Sequence, residues 1–135
     1  MSLNMSFIKN YNIFINENIS DVKFIKQYIE KTNPHTGSRD AFQGIGRLSD
    51  FTWNVKQTLI QPDDKKIDLD DLYPASKLDV KRYKKAYLKG SEFPPIVLVD
   101  KGNKYTILDG AHRLKAAIEL DVPIRAYIGY EIKNK

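Results

Sequence analysis

No cysteine occurs in the chain. Its absence excludes disulfides, thiolate metal sites and cysteine nucleophiles, and it suits a reducing cytoplasm, the compartment expected here. Histidine is nearly as scarce. His35 and His112 are the only two, they stand far apart, and no His/Asp/Glu spacing resembles a zinc site, so no metal site is expected. Long apolar runs are missing too, since no segment approaches the roughly 18 consecutive apolar residues of a membrane helix. The first residues lack a basic stretch followed by an apolar one, so neither a secretory signal nor a membrane partner is expected. There is no internal repeat and no low-complexity tract. Tryptophan occurs once, as Trp53, most simply a core or interface residue of the N-terminal part.

What is present reads as one folded domain. The chain has 135 residues, 41% of them hydrophobic and 11% aromatic, ordinary fractions for a globular protein. That length is enough for a self-standing core. The net charge of +5 allows an anionic partner, such as nucleotide or nucleic acid, without demanding one.

Residues 7–15, with Ile13-Phe14-Ile15, suggest a short strand. Asn18 or Ser20 can cap a helix whose apolar positions Val22, Ile25, Tyr28 and Ile29 recur at helical spacing. That helix should stop before Asn33-Pro34, because a residue preceding proline is pushed out of the α region. Phe42, Ile45, Leu48, Phe51 or Thr52, and Val55 again follow helical spacing, with Gly44 and Gly46 weakening the pattern. Gln61-Pro62-Asp63-Asp64-Lys65-Lys66 is the clearest punctuation, and it divides an N-terminal extension, residues 1–64, from a core, residues 65–135. In the core, Ile67-Asp68-Leu69 suggests a strand and Leu72-Tyr73-Pro74 a turn. A helix over residues 78–89 is closed by Gly90. Ile96-Val97-Leu98-Val99 suits a buried strand, Asp100-Lys101-Gly102-Asn103 a hairpin loop, and Tyr105-Thr106-Ile107-Leu108 the returning strand. A further helix over residues 110–120 and a strand over residues 124–128 complete a mixed order, so the fold class is α+β, a small mixed sheet with packed helices and an N-terminal helical extension.

The stretch richest in chemistry is Ile107-Leu108-Asp109-Gly110-Ala111-His112-Arg113-Leu114-Lys115-Ala116-Ala117. A strand ends, an Asp-Gly step turns the chain, and a helix begins with His and Arg in its first turn. The first N–H groups of a helix lack internal partners and carry partial positive charge, which makes an anion seat. Gly110 lets an anion approach the backbone, Arg113 can grip a phosphate through two parallel bonds, and His112 can donate a bond or move a proton near neutral pH. Ala111, Leu114, Ala117 and Ile118 share a face that would fasten this helix to the sheet. Asp109 equally suits an N-cap, and Arg113 an ordinary ion pair.

Residues 67–128 resemble the ParB/sulfiredoxin-like domain family, the ParB-like nuclease domains, over a little under half the chain. Ile67-Asp68-Leu69 with Leu72-Tyr73-Pro74 looks like the family's opening strand and Leu-x-Pro turn. Gly90-Ser91-Glu92-Phe93-Pro94-Pro95-Ile96-Val97-Leu98-Val99 is similar to its helix-end glycine and Pro-Ile-x-Val strand. The Asp-Gly-Ala-His-Arg stretch resembles its signature. Sulfiredoxins have Gly-Cys-His-Arg there, and Ala111 in the cysteine position excludes their chemistry. Partition proteins have Gly-Glu-Arg-Arg-x-Arg-Ala on CTP phosphates, whereas this chain lacks the acid and has His112 and Lys115 in place of arginines. Residues 124–135 are too short for the helix-turn-helix unit that follows in those proteins. Free serine kinases have Asp-Gly-His-His-Arg, which differs from Asp109-Gly110-Ala111-His112-Arg113 only at Ala111.

The resemblance implies a nucleotide- or phosphate-binding protein, with phosphotransferase or nucleotide hydrolase activity in view. Gly110, Ala111, His112 and Arg113 form the phosphate seat, Asp109 and His112 are catalytic candidates, and Mg2+ with ATP, ADP or CTP is the implied cofactor set. A nucleotide or phosphorylated small molecule is the expected partner. The rival is a nucleic-acid-binding or nuclease-like module. Lys81, Arg82, Lys84 and Lys85, flanked by Lys77 and Lys89 and interleaved with Tyr83 and Tyr87, would track a phosphate backbone. A non-catalytic interaction adaptor is the third reading. Gly44-Ile45-Gly46-Arg47 resembles half a phosphate loop but lacks the third glycine, and the Asp63-Asp64 and Asp68-Asp70-Asp71 clusters could meet magnesium but suit turns and caps better.

Overall fold

A computed structural model describes residues 17–32, 41–42, 46–72 and 76–132. Helix α1 spans Glu17–Thr32. Strands β1 (Ala41–Phe42) and β2 (Gly46–Arg47) form a small antiparallel pair, and a 3-10 turn, Leu48–Asp50, leads into β3, Phe51–Ile60. A second 3-10 turn, Leu69–Leu72, precedes helix α2, Lys77–Leu88. Strands β4 (Ile96–Asp100) and β5 (Tyr105–Asp109) form a hairpin, helix α3 covers Ala111–Leu120, and β6 covers Ile124–Glu131. The main sheet runs β3-β6-β4-β5, with β6 parallel to β4 and the other two pairings antiparallel. The class is α+β, and no described helix is long and apolar enough to cross a membrane.

Helices cover both faces of the sheet. Ile96 and Leu98 of β4 join Leu114 and Ala117 of α3, together with Ile60, Ile124, Ala126 and Ile128, in one core. Val97 and Val99 join Ile25 and Ile29 of α1, together with Leu48, Phe51, Trp53 and Tyr127, in the other. This explains the unbroken apolar run in β4: a strand covered on both faces has no outward position to make polar. Ala111 and Ile118 also pack against the first core, so the face of α3 expected from its spacing is the one that meets the sheet.

Helix α2 is closed as its sequence suggests. Ser76 caps it by accepting a bond from the Asp79 N–H at 3.3 Å. Gly90, at φ +106, sends its N–H to Tyr87 O at 2.9 Å while Ser91 N–H reaches Ala86 O at 3.0 Å. These two bonds satisfy carbonyls that a helix end otherwise leaves unpaired.

Several expectations are corrected. Helix α1 begins at Glu17, so Asn18 and Ser20 lie inside it rather than capping it. Cap-type residues recur along this stretch, and the sequence offers several starts. Where helical spacing from Phe42 to Val55 suggested a helix over residues 41–59, the described residues form strands β1, β2 and β3 and a 3-10 turn. Phe51 and Trp53 turn inward with period two while Thr52 and Asn54 face out, and β6 supplies the ladder. Ile67-Asp68-Leu69 is not a strand. Asp64 accepts from Lys66 N–H at 2.9 Å and Asp68 from Asp70 N–H at 3.0 Å, and these short-range bonds curl the chain into turns. The strand expected over residues 7–15, the loop holding His35, and the Tyr73-Pro74 turn lie outside the described residues.

Candidate functional site

The end of β5, the start of α3 and the last turn of α1 meet beside Pro95, which precedes β4. Asp109 is the last residue of β5 and not the cap of α3; the cap position is Gly110, at φ +107. The cap residue makes no side-chain cap bond to this helix, as a glycine cannot. Gly110 is required here twice over. A Cβ would strain the left-handed backbone, and it would also sit 2.5 Å from Ile96 Cγ2 and 2.7 Å from Arg113 Nη2.

Asp109 and Arg113 form a buried pair, each side chain 4% exposed, with Nη2 to Oδ2 at 3.1 Å. The same Nη2 donates to Pro95 O at 3.3 Å. Thr32, from α1, comes within 2.7 Å of Asp109 Oδ2 and donates to it. Tyr28, one turn earlier, donates its hydroxyl to Pro95 O, so α1 is tied to the site through two side chains. Burial, chiefly, pushes the Tyr28 phenol up to about 12, against a lowering influence from Arg113. It therefore stays a neutral donor across the neutral range. Arg113 Nε is buried without a hydrogen-bond partner among the described residues. Such an orphan is costly.

A cleft of about 310 Å³ opens over this arrangement, lined by residues that include Thr32, Tyr83, Asp109, Gly110, His112 and Arg113. His112 is partly exposed and lies 3.8 Å from Asp79 Oδ2 on α2. Gly110, Ala111, His112, Arg113 and Asp109 are thus brought together as the sequence suggested. The Asp109 carboxylate is buried and accepts from both Arg113 and Thr32. The described residues hold no group of three or more His, Cys, Asp or Glu able to hold a metal ion.

Lys81, Arg82, Lys84 and Lys85 are on α2 and do not line this cleft. Arg82 pairs with Asp79 at 3.4 Å and Lys84 with Glu119 at 2.9 Å, which offsets two of the four charges. Tyr87 stacks on Phe93 with ring centroids 4.9 Å apart, so it packs rather than standing free among the lysines. The sequence reading missed Thr32, Tyr28 and the Pro95 carbonyl. Tyr28 was legible only as an apolar helix position, and nothing in the sequence near Thr32 signals a carboxylate from β5.

No family model and no curated protein matches the chain. Among solved structures, it is similar to a sulfiredoxin from Arabidopsis thaliana, at 21% identity and TM-score 0.44, over 53% of this chain and 82% of that one. It is also similar to a Pnob8-like ParB-N domain, at 15% identity and TM-score 0.44, over 61% of this chain. The chain spans 32% of the length of that second structure.

Proposed function

We propose that this protein binds a phosphate-bearing small molecule, a nucleotide in the first instance, at the start of α3. The carrying observation is Arg113: a guanidinium with a 4% exposed side chain and an unpartnered Nε among the described residues, lining a cleft at a helix start. Asp109 and Pro95 take only the Nη2 of this guanidinium, and its remaining N–H groups beside a helix start suit the geometry of a phosphate. His112, at the cleft rim, adds a further donor. The associated reaction class is phosphoryl transfer or nucleotide hydrolysis, which depends mainly on positioning and charge neutralisation.

Calorimetric titration with ATP, ADP, CTP and inorganic phosphate, each with and without magnesium, tests the reading. At least one should bind. His112→Glu, which sets a negative charge at the cleft rim, should weaken that binding about tenfold, or about 1.4 kcal/mol. Arg113→Lys, which keeps the charge but removes the planar fork, should weaken it by a similar factor. Binding by none of the four, or affinity unchanged in both variants, overturns the proposal.

A further inference from the structure

Thr32 has no part in the phosphate seat, yet its hydroxyl sits where a reacting group would. It is 2.7 Å from Asp109 Oδ2, against 3.1 Å to Tyr28 O and 3.5 Å to Ile29 O. A threonine hydroxyl in a helix ordinarily bonds back to the carbonyl one turn earlier. A hydroxyl carries one proton, and among the described residues its nearest acceptor, and the charged one, is the carboxylate, so the proton goes there. Thr32, Asp109 and Arg113 also line the same cleft as Gly110 and His112. A hydroxyl nucleophile, a carboxylate within proton-transfer reach and an anion seat therefore face one volume, the arrangement that phosphoryl transfer to an alcohol requires.

From this geometry we infer that Thr32 is a phosphoryl acceptor, modified by the chain itself from a nucleoside triphosphate bound in the cleft. This rests on the nucleotide reading above and extends it. The Thr32 Oγ1–phosphorus bond forms as the bond between the γ-phosphorus and the β–γ bridging oxygen breaks. The hydroxyl proton passes to the Asp109 carboxylate, and the nucleoside diphosphate leaves. Arg113 sits against the same carboxylate at 3.1 Å and contributes positive charge where the transferred group carries negative. The product places a phosphate on the last turn of α1, beside Arg113.

The test incubates the full chain with ATP or CTP and magnesium, and follows intact mass, with fragment mass spectrometry to locate the group. Titration calorimetry on the same sample reads nucleotide binding. The expected result is a gain of one phosphoryl group, located on Thr32, lost in Thr32→Val and in Asp109→Asn, and restored at the same position in Thr32→Ser. Circular dichroism of each variant shows that it is folded, and Thr32→Ser keeps the acceptor test independent of Thr32→Val. Nucleotide binding without any mass gain overturns this inference and leaves the nucleotide reading standing. A mass gain located elsewhere, or retained in Thr32→Val, also overturns it. Absence of nucleotide binding removes both.

Discussion

Tyr28 and Arg113 converge on one carbonyl, that of Pro95, from two different helices. Because the tyrosine donates, it must stay protonated, and burial raises its pKa from 10.0 to about 12. The sign follows from linkage. A group held above its unfolded value lends stability that is fully present below the unfolded pKa and is lost as pH rises through the folded one. Stability should therefore fall between about pH 10 and pH 12, and Tyr28→Phe should flatten that fall while lowering stability near neutrality. Tyr105, also pushed up to about 12 by burial and then by the Asp64 charge, contributes to the same decline. Urea midpoints at neutral and alkaline pH for wild type and Tyr28→Phe check this, and identical slopes would contradict it.

At the scale of elements, two glycines with left-handed backbones allow a controlled comparison. Gly110 at φ +107 is crowded by Ile96 and Arg113, whereas Gly102 at φ +101 has nothing within 4 Å of an added Cβ. Gly102→Ala should cost only the backbone strain, about 1–2 kcal/mol. Gly110→Ala should cost that and the overpacking as well, about 2–5 kcal/mol in all. Equal losses in denaturant midpoints would mean that the space around Gly110 yields freely. The elements also show what a sequence can carry. The Ile96-Val97-Leu98-Val99 run, the α2 closure at Gly90 and the β5-to-α3 step at Asp109 are local signals, set by period, by an αL glycine and by a turn. β3 was not legible, because Phe42, Ile45, Leu48 and Val55 happen to fit a helical period. What decides the matter is distant pairing with β6, through registers such as Trp53 with Gly129. Asp109 read as a cap for a related reason. The guanidinium that takes its carboxylate is only four residues on, but the threonine that completes its setting comes from α1.

At the scale of the whole molecule, α1 covers one face of the sheet and also closes the site, so ligand and helix are energetically joined. A ligand at 100 times its dissociation constant stabilises the bound state by about 2.7 kcal/mol. Amides at positions 28–32 that exchange only when the last turn of α1 opens away from Asp109 and Pro95 should then exchange up to about 100-fold more slowly. Hydrogen exchange with and without nucleotide measures this. No change in α1 alongside slowing in α3 would show that the two helices are uncoupled.

The pairing of β3 with β6 has a temporal consequence. Its register joins Phe51 to Glu131 and Ile60 to Ile124, and β6 follows every other described element in the chain. During vectorial synthesis β3 has no sheet partner until the last described strand has emerged, so it must wait as an unpaired, partly aromatic segment. Trp53, packed on Gly129 across that seam, thus completes its packing only once β6 has docked. The only indole in the chain is a natural reporter of that docking.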